Sequence, residues 1–272
     1  MLFVDARGAR IPIIGLGTWD LRGRVCARVV EQALRIGYRH IDTAQAYDNE
    51  REVGEGIRAS GVRRDEVFVA TKIWWTRFAP RDLERSVKES LGKLRLTEVD
   101  LLLLHWPNPA VPLGETIEAL GRMRESGFAR HVGVSNFTVA LIEQAVGLSK
   151  QPIAVDQIEY HPYLDQSKVI AACRRHDIAV TAYSPIAKGR TSDDDVLARI
   201  GQAHGKSGAQ VSLRWLVQQN VIAIPRTSRV ERLEENIAVF DFELSTAEMA
   251  EISGLARPRG RLLNVSWAPA WD

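Results

Sequence analysis

Apolar runs of four to seven residues alternate along the chain with amphipathic stretches of about 10 to 15 residues. Strand-length runs fall at Ile14–Gly17, His40–Thr43, Val67–Lys72, Asp100–His105, Arg130–Ser135, Ala154–Tyr160, Ile178–Tyr183 and Val221–Pro225. Helical periodicity with charged outer faces fills the intervals: Arg24–Ile36, Glu50–Ala59, Pro80–Leu94, Gly114–Glu125, Thr138–Val146, Gln166–Arg175, and the pair Asp194–Ala203 and Ala209–Gln219. Such alternation is the mark of parallel βαβ units. Eight strands, each followed by helix, predict an α/β protein, a (β/α)8 TIM barrel of ordinary length occupying residues 1–272 as one domain. The opening LFVDARGARIPII alternates like a hairpin turning at Arg7-Gly8, expected to cap the barrel bottom. Two extra helices, near Val230–Val239 and Thr246–Gly254, precede a tail rich in Arg, Pro and Trp.

The chain has 272 residues, 45% hydrophobic and 26% charged, enough to bury a large core. A net charge of +2, with acids and bases interleaved, gives no field suited to nucleic acid. Cys26 and Cys173 are too few and too isolated for a disulfide framework or a zinc site, and no metal is expected. The run Val99–Trp106, interrupted by Asp100, falls far short of the ~20 residues of a membrane span. With no charged-then-apolar leader at its start, the chain is expected to be cytoplasmic; with no heptads or apolar edge, it is expected to be monomeric.

Barrel enzymes build their sites at the carboxyl ends of the strands. Three of the apolar runs end there in a group able to move or steer a proton: Asp42, Lys72 and His105, with Tyr47 five residues past the first. Any one of them alone reads equally well as a loop charge or an ion pair. Seven lysines stand against 29 arginines, so a lysine closing an apolar strand is a marked choice; unlike arginine it exchanges charge with a neighbouring phenol. Trp19, Trp74 and Trp106 follow strand ends and are expected to line an apolar substrate cleft with Tyr47 and His105, while Trp267 or Trp271 in the tail could close over it. Arg22 and Arg77 lie on the same side and leave room for a carboxylated substrate.

Three segments, GYRHIDTAQAYDNEREVGEGI (Gly37–Ile57), FARHVGVSNF (Phe128–Phe137) and IPRTSRVERLEENIAVF (Ile224–Phe240), together resemble the aldo-keto reductase family over essentially the whole chain. YSPIAKG at Tyr183–Gly189 and the compact tail look most similar to small bacterial reductases of the 2,5-diketo-gluconate reductase type. The resemblance implies a catalytic tetrad of Asp42, Tyr47, Lys72 and His105. It implies reduction of small aldehydes or ketones (dicarbonyls, keto sugars, aromatic aldehydes) to alcohols by hydride transfer. In that chemistry Tyr47 is the general acid, Lys72 lowers the phenol's pKa, Asp42 fixes the lysine and His105 orients the substrate oxygen. Relatives that reduce carbon–carbon double bonds carry another residue at the histidine, so His105 points to carbonyls.

The segment Gly15-Leu16-Gly17-Thr18-Trp19-Asp20 fails the dinucleotide G-x-G-x-x-G pattern at its last glycine, and the glycines read as close packing of the first strand end. Phosphate is instead expected at Pro225-Arg226-Thr227, which closes the eighth strand and opens a helix, giving backbone N–H groups beside Arg226, Arg229 and Arg232. The resemblance implies NADPH, with Arg226, Thr227 and Arg232 on the 2′-phosphate and Glu235 and Asn236 at the adenine. It places Ser135, Asn136 and Gln157 on the carboxamide, Tyr183 under the nicotinamide, and Ser184 and Lys188 at the pyrophosphate. Gly17, Thr18, Asp42, Ile186, Pro225 and Ser228 complete that set. Many relatives have lysine then serine where this chain has Arg226 and Thr227, and arginine also stacks on adenine, so the preference for NADPH can be looser. Two other readings stay open: a non-catalytic NADPH-binding regulatory subunit, and a barrel enzyme forming a Schiff base on Lys72.

Overall fold

The computed structural model describes residues 2–272. At its start, strands β1 (Phe3–Ala6) and β2 (Ala9–Pro12) pair antiparallel with Ala6 opposite Ala9. Arg7 and Gly8 between them have φ of 48° and 83°, the two positive values that a two-residue type I′ turn requires. Arg7 Nε donates to the His176 carbonyl at 2.9 Å, which pins the hairpin beneath the strand that follows that residue. The hairpin thus caps the amino-terminal end of the barrel, as the alternation predicts.

The barrel follows as β3 (Leu16–Gly17), α1 (Gly23–Ile36), β4 (His40–Asp42), α2 (Glu50–Ala59), β5 (Phe68–Ile73), α3 (Pro80–Leu94), β6 (Val99–Leu104), α4 (Leu113–Glu125), β7 (Ala129–Ser135), α5 (Val139–Leu148), β8 (Ile153–Glu159), α6 (Ser167–Arg175) and β9 (Ala179–Tyr183). Helices α7 (Asp195–His204) and α8 (Gly208–Gln218), strand β10 (Ile222–Ala223), and helices α9 (Glu231–Ile237) and α10 (Thr246–Ser253) complete it. Strands β3 to β10 lie side by side in chain order and every pair is parallel. The circle closes where Gly15 N donates to Ala223 O at 2.9 Å, Ala223 N to Ile13 O at 2.8 Å and Gly17 N to Pro225 O at 3.0 Å. Glycine is needed at this seam: a Cβ on Gly17 would stand 2.7 Å from the Ile224 carbonyl, and one on Gly15 2.7 Å from His40 Nδ1. The first glycine pair therefore serves the close packing that closes the barrel.

Helix α1 shows how the pattern becomes packing: Cys26, Val29, Val30, Ala33 and Leu34 recur at three- and four-residue steps and are all buried, while arginines hold the outer face. Strands β5, β6 and β8 are buried at every position, between the helices outside and the barrel interior, which is why they read as continuous apolar runs. Among the described residues no helix is long and apolar enough to cross a membrane.

Some boundaries differ from the sequence expectation. The first and last barrel strands shrink to Leu16–Gly17 and Ile222–Ala223, with Ile14 making a single parallel bridge to Ala223, because the seam pairs only a few residues. Helix α9 covers only Glu231–Ile237, later and shorter than predicted. Four short 3₁₀ turns, including Gln45–Tyr47, carry no periodic signal and were not predicted.

Candidate active site

Strand register decides which side chains meet. Asp42 pairs with Ala70 across β4 and β5, and Lys72 with Leu103 across β5 and β6. Since alternate residues share a face, Ala70 and Lys72 point the way Asp42 does, and Leu103 and His105 follow. The contacts agree. Lys72, fully buried, donates from Nζ to Asp42 Oδ1 at 2.5 Å, to the Thr43 carbonyl at 2.9 Å and to the Tyr47 hydroxyl at 3.4 Å. Gln157 of β8 donates to the other Asp42 oxygen at 2.8 Å. The Tyr47 ring is half-buried and meets the imidazole of His105 edge-on, with centroids 5.6 Å apart, so phenol and imidazole face one space.

Tyr47 reaches this position through a loop locked by Asn49, a fully buried side chain. Asn49 Nδ2 donates to the carbonyls of Thr18 and Leu21 at 2.8 and 2.9 Å, and its Oδ1 accepts from Thr43 at 2.8 Å. Asp48 turns in the left-handed region at φ 51° to bring the chain back into α2. The sequence shows Asn49 only as a helix opening; its role depends on contacts 31 residues away.

The electrostatics correct one expectation. Burial, and then the Asp42 carboxylate, hold the Tyr47 phenol well above its ordinary range rather than below it. Asp42 neutralises the nearby ammonium, so burial prevails. Burial likewise lowers the Lys72 pKa, with Asp42 opposing. Burial and the Lys72 charge push His105 well below the usual imidazole range, leaving a neutral ring whose Nδ1 is buried without a partner.

Next to this cluster the residues expected at the nicotinamide form a connected set. Ser135 Oγ donates to the Gln157 carbonyl at 2.7 Å; Asn136 Nδ2 donates to the His105 carbonyl at 3.0 Å; the Tyr183 hydroxyl donates to Asn136 Oδ1 at 2.8 Å. Asn136, Ser184 and Lys188 have φ of 63°, 50° and 56°, backbone strain of the kind that gathers at ligand sites. Gly17 and Thr18 sit at the barrel seam, Thr18 donating to the Asp42 carbonyl at 3.0 Å; Ile186 is half-buried between Ser184 and Lys188. At the expected phosphate end, Arg226 donates to the carbonyls of Trp19 and Asp20 at 3.1 and 3.0 Å, and the Thr227 hydroxyl accepts from Arg229 N at 3.0 Å, with Ser228 in the bend between. Arg232 pairs with Glu235, which also accepts from Ser207 at 2.6 Å, and Asn236 is buried. Because α9 begins only at Glu231, the backbone N–H groups of a helix start do not lie at Pro225–Thr227 as expected, and the cationic side chains dominate this end.

The sequence profile of the aldo/keto reductase family matches residues 13–257. The chain belongs to this family. This aldo/keto reductase is 40% identical over 265 residues to the methylglyoxal reductase DkgB of Escherichia coli O157:H7, covering 96% of the chain and 99% of that relative. It is 41% identical over 266 residues to the morphine 6-dehydrogenase of Pseudomonas putida, covering 91% and 88%. A crystal structure described as that of a candidate 2,5-diketo-D-gluconic acid reductase B superposes with a TM-score of 0.98 at 49% identity, covering 100% of this chain and 98% of the other. Relatives named as reductases and dehydrogenases make this chain an oxidoreductase.

In this aldo/keto reductase the tail packs over the side of the barrel where the sequence leads one to expect the substrate. Trp74 stands edge-on to His105 at 5.2 Å, and Trp267 stacks on Trp75 at 5.9 Å while meeting Trp74 at 6.1 Å. Trp106, expected in an open cleft, is only 3% exposed and packs against Trp271. Trp19 is 54% exposed on the rim, with the Lys188 ammonium 5.6 Å from its ring. The tail is held by a residue that sequence reasoning passed over: the carboxylate of Glu159, fully buried, accepts from Leu262 N at 2.5 Å and Leu263 N at 2.9 Å, with His161 Nε2 3.1 Å away. Its signal was available, since Glu159 closes an apolar strand as Asp42 does.

Proposed function

We propose that the protein is an NADPH-dependent carbonyl reductase in which Tyr47 supplies the proton. The observation that carries this reading is the buried chain from Asp42 through Lys72 to the Tyr47 hydroxyl, facing His105. The donor set fits the dinucleotide: a tyrosine ring at Tyr183, amide and hydroxyl groups at Ser135, Asn136 and Gln157, and the cations Lys188, Arg226, Arg229 and Arg232 where phosphates would lie. When bound, NADPH supplies a hydride to the carbonyl carbon. His105, held neutral by burial and the Lys72 charge, donates a ring N–H to the substrate oxygen, holding the carbonyl in line. Tyr47 then gives its hydroxyl proton to that oxygen, and the phenolate left behind is stabilised by the Lys72 ammonium. A phenol kept protonated by its surroundings suits the acid role in reduction. The substrate is a small carbonyl compound and the enzyme a cytoplasmic monomer.

The test is consumption of NADPH with small aldehydes, α-dicarbonyls and keto sugars, with NADH in parallel. NADPH binding without turnover on any of them would favour the regulatory-subunit reading; an imine trapped by borohydride would favour the Schiff base on Lys72. Arg226→Ser is expected to weaken NADPH about 10-fold or more, by removing a charge-assisted contact to the 2′-phosphate, and to weaken NADH much less. Equal use of the two cofactors by the parent enzyme would refute the phosphate assignment. A pH profile tests the electrostatics. His105 gains its proton only well below the ordinary ~6.5, and Tyr47 loses its own only above ~10, so the reduction rate is expected to be flat across neutrality. An inflection between about pH 6 and 8 that disappears in His105→Gln would contradict the neutral imidazole.

A further inference from the structure

The Tyr47 hydroxyl is not fixed by its own hydrogen bond. Its contact with Lys72 Nζ, at 3.4 Å, is long, and the ring is carried by a single 3₁₀ turn, Gln45–Tyr47, whose internal bonds have poor geometry. The next residue, Asp48, stands in the left-handed region at φ 51°, a conformation that an aspartate keeps only when the chain on both sides is held. The phenol is therefore positioned from outside its own turn.

An asparagine opening a helix ordinarily turns its side-chain oxygen on the free N–H groups of the first turn. Asn49 immediately precedes α2 and makes no such cap. Its side chain, fully buried, turns instead to the barrel seam: both amide donors go to the carbonyls of Thr18 and Leu21, and Oδ1 accepts from the Thr43 hydroxyl. Each end of that link is rigid. The turn Thr18–Leu21 is closed by Leu21 N on the Thr18 carbonyl at 3.0 Å, and its two middle carbonyls, of Trp19 and Asp20, are taken by Arg226. Thr18 donates from both N and Oγ1 to the Asp42 carbonyl at 3.0 Å, while the Thr43 carbonyl accepts from Lys72 Nζ at 2.9 Å. With Lys72 bonded to the Asp42 carboxylate, these contacts close a ring from Asp42 through Thr18, Asn49, Thr43 and Lys72 back to Asp42, buried at every member. Asn49 is the member two residues from Tyr47, so it ties the phenol's loop to the ammonium's own acceptors.

We propose that Asn49 is a positioning residue for proton transfer: it holds Tyr47 at the separation from Lys72 and His105 that the reaction requires, and forgoes the cap of its own helix to do so. This rests on the reductase reading above and extends it to a residue outside the tetrad.

If Asn49 acts through Tyr47, its effect must vanish once the hydroxyl is gone, which a double-mutant cycle measures. With NADPH bound beforehand and the fastest aldehyde of the panel above in excess, the single-turnover rate constant counts only enzyme that has folded and taken up cofactor. Asn49→Ala is expected to lower it about 10- to 100-fold, the scale of a misplacement of about 1 Å, with the Kd for NADPH within about threefold of the parent. In the Tyr47→Phe background the same change is expected to lower it less than about threefold. Thr43→Val removes one hydroxyl donor and keeps the carbonyl that Lys72 uses. It is expected to show a loss of about 3- to 10-fold, non-additive in the same way, and its cycle decides the matter should Asn49→Ala not fold. An undiminished loss in the Tyr47→Phe background would overturn the proposal. So would a parental rate constant in a variant with a lowered Tm, which would make Asn49 a fold-stabilising residue only. A Tyr47→Phe enzyme as fast as the parent would bring down the acid role of Tyr47 and this inference with it.

Discussion

Replacing Lys72 by methionine is expected to lower the folding stability by about 3–5 kcal/mol, the range for removing one member of a buried ion pair. Methionine fills much of the lysine volume, so cavity formation contributes little. The cost comes from Asp42, which is 1% exposed and would keep only the Gln157 amide as a partner. The Thr43 carbonyl and the Tyr47 hydroxyl would lose a donor too. In a chain of this size the change corresponds to a melting temperature roughly 6 to 20 °C lower. The double variant Asp42→Asn/Lys72→Met provides the control, since it leaves no unpaired ion, and much of the stability should return. Denaturant melts of parent, single and double variants make the comparison. If the single variant loses less than about 1 kcal/mol, the pair is not the buried, mutually dependent unit described here.

Tyr47→Phe should leave the fold almost untouched and remove the chemistry. The ring keeps its edge-on contact with His105, and the Lys72 ammonium still lies 5.0 Å from the ring centroid. Only the hydroxyl is lost, and with it the proposed proton donor. A fall in kcat of about 10²- to 10⁴-fold is expected, equivalent to about 3–5 kcal/mol of transition-state stabilisation, with cofactor affinity unchanged. Single-turnover reduction of a small aldehyde, with NADPH binding measured by fluorescence, separates the two quantities. Turnover within tenfold of the parent would take the acid role away from Tyr47. That role would then have to pass to His105 or a water.

The mechanism asks the phenol to do something its surroundings oppose at rest. Burial and Asp42 favour the protonated form, yet the proposed reaction leaves a phenolate. The two are consistent if the ammonium acts late: paired with Asp42, it does little for the resting phenol, but it lies 3.4 Å from the oxygen on which charge develops. Such an arrangement keeps the acid loaded across neutral pH and spends the lysine's charge on the transition state rather than the ground state.

Much of this protein was legible in one dimension. Strand length and helical period repeat locally, so eight βα units, the hairpin at Arg7-Gly8 and the polar strand ends at Asp42, Lys72 and His105 could be read directly. The register of parallel strands then left those three side chains little choice but to meet. What the sequence could not decide lies in contacts with no period and large chain separation. Asn49 locks the Tyr47 loop through carbonyls of the first barrel turn; Glu159 fastens tail amides more than a hundred residues away. Trp271 covers Trp106 and orients Arg261. The direction of the Tyr47 shift belongs to the same class, because burial is a sum over everything packed around the phenol. Secondary structure is set largely by neighbours a few residues apart, and the sequence alone determined its main elements here, though not the shortened seam strands or the 3₁₀ turns. Depth, field and cover arise from atoms brought together only by folding, and those the tertiary structure decided.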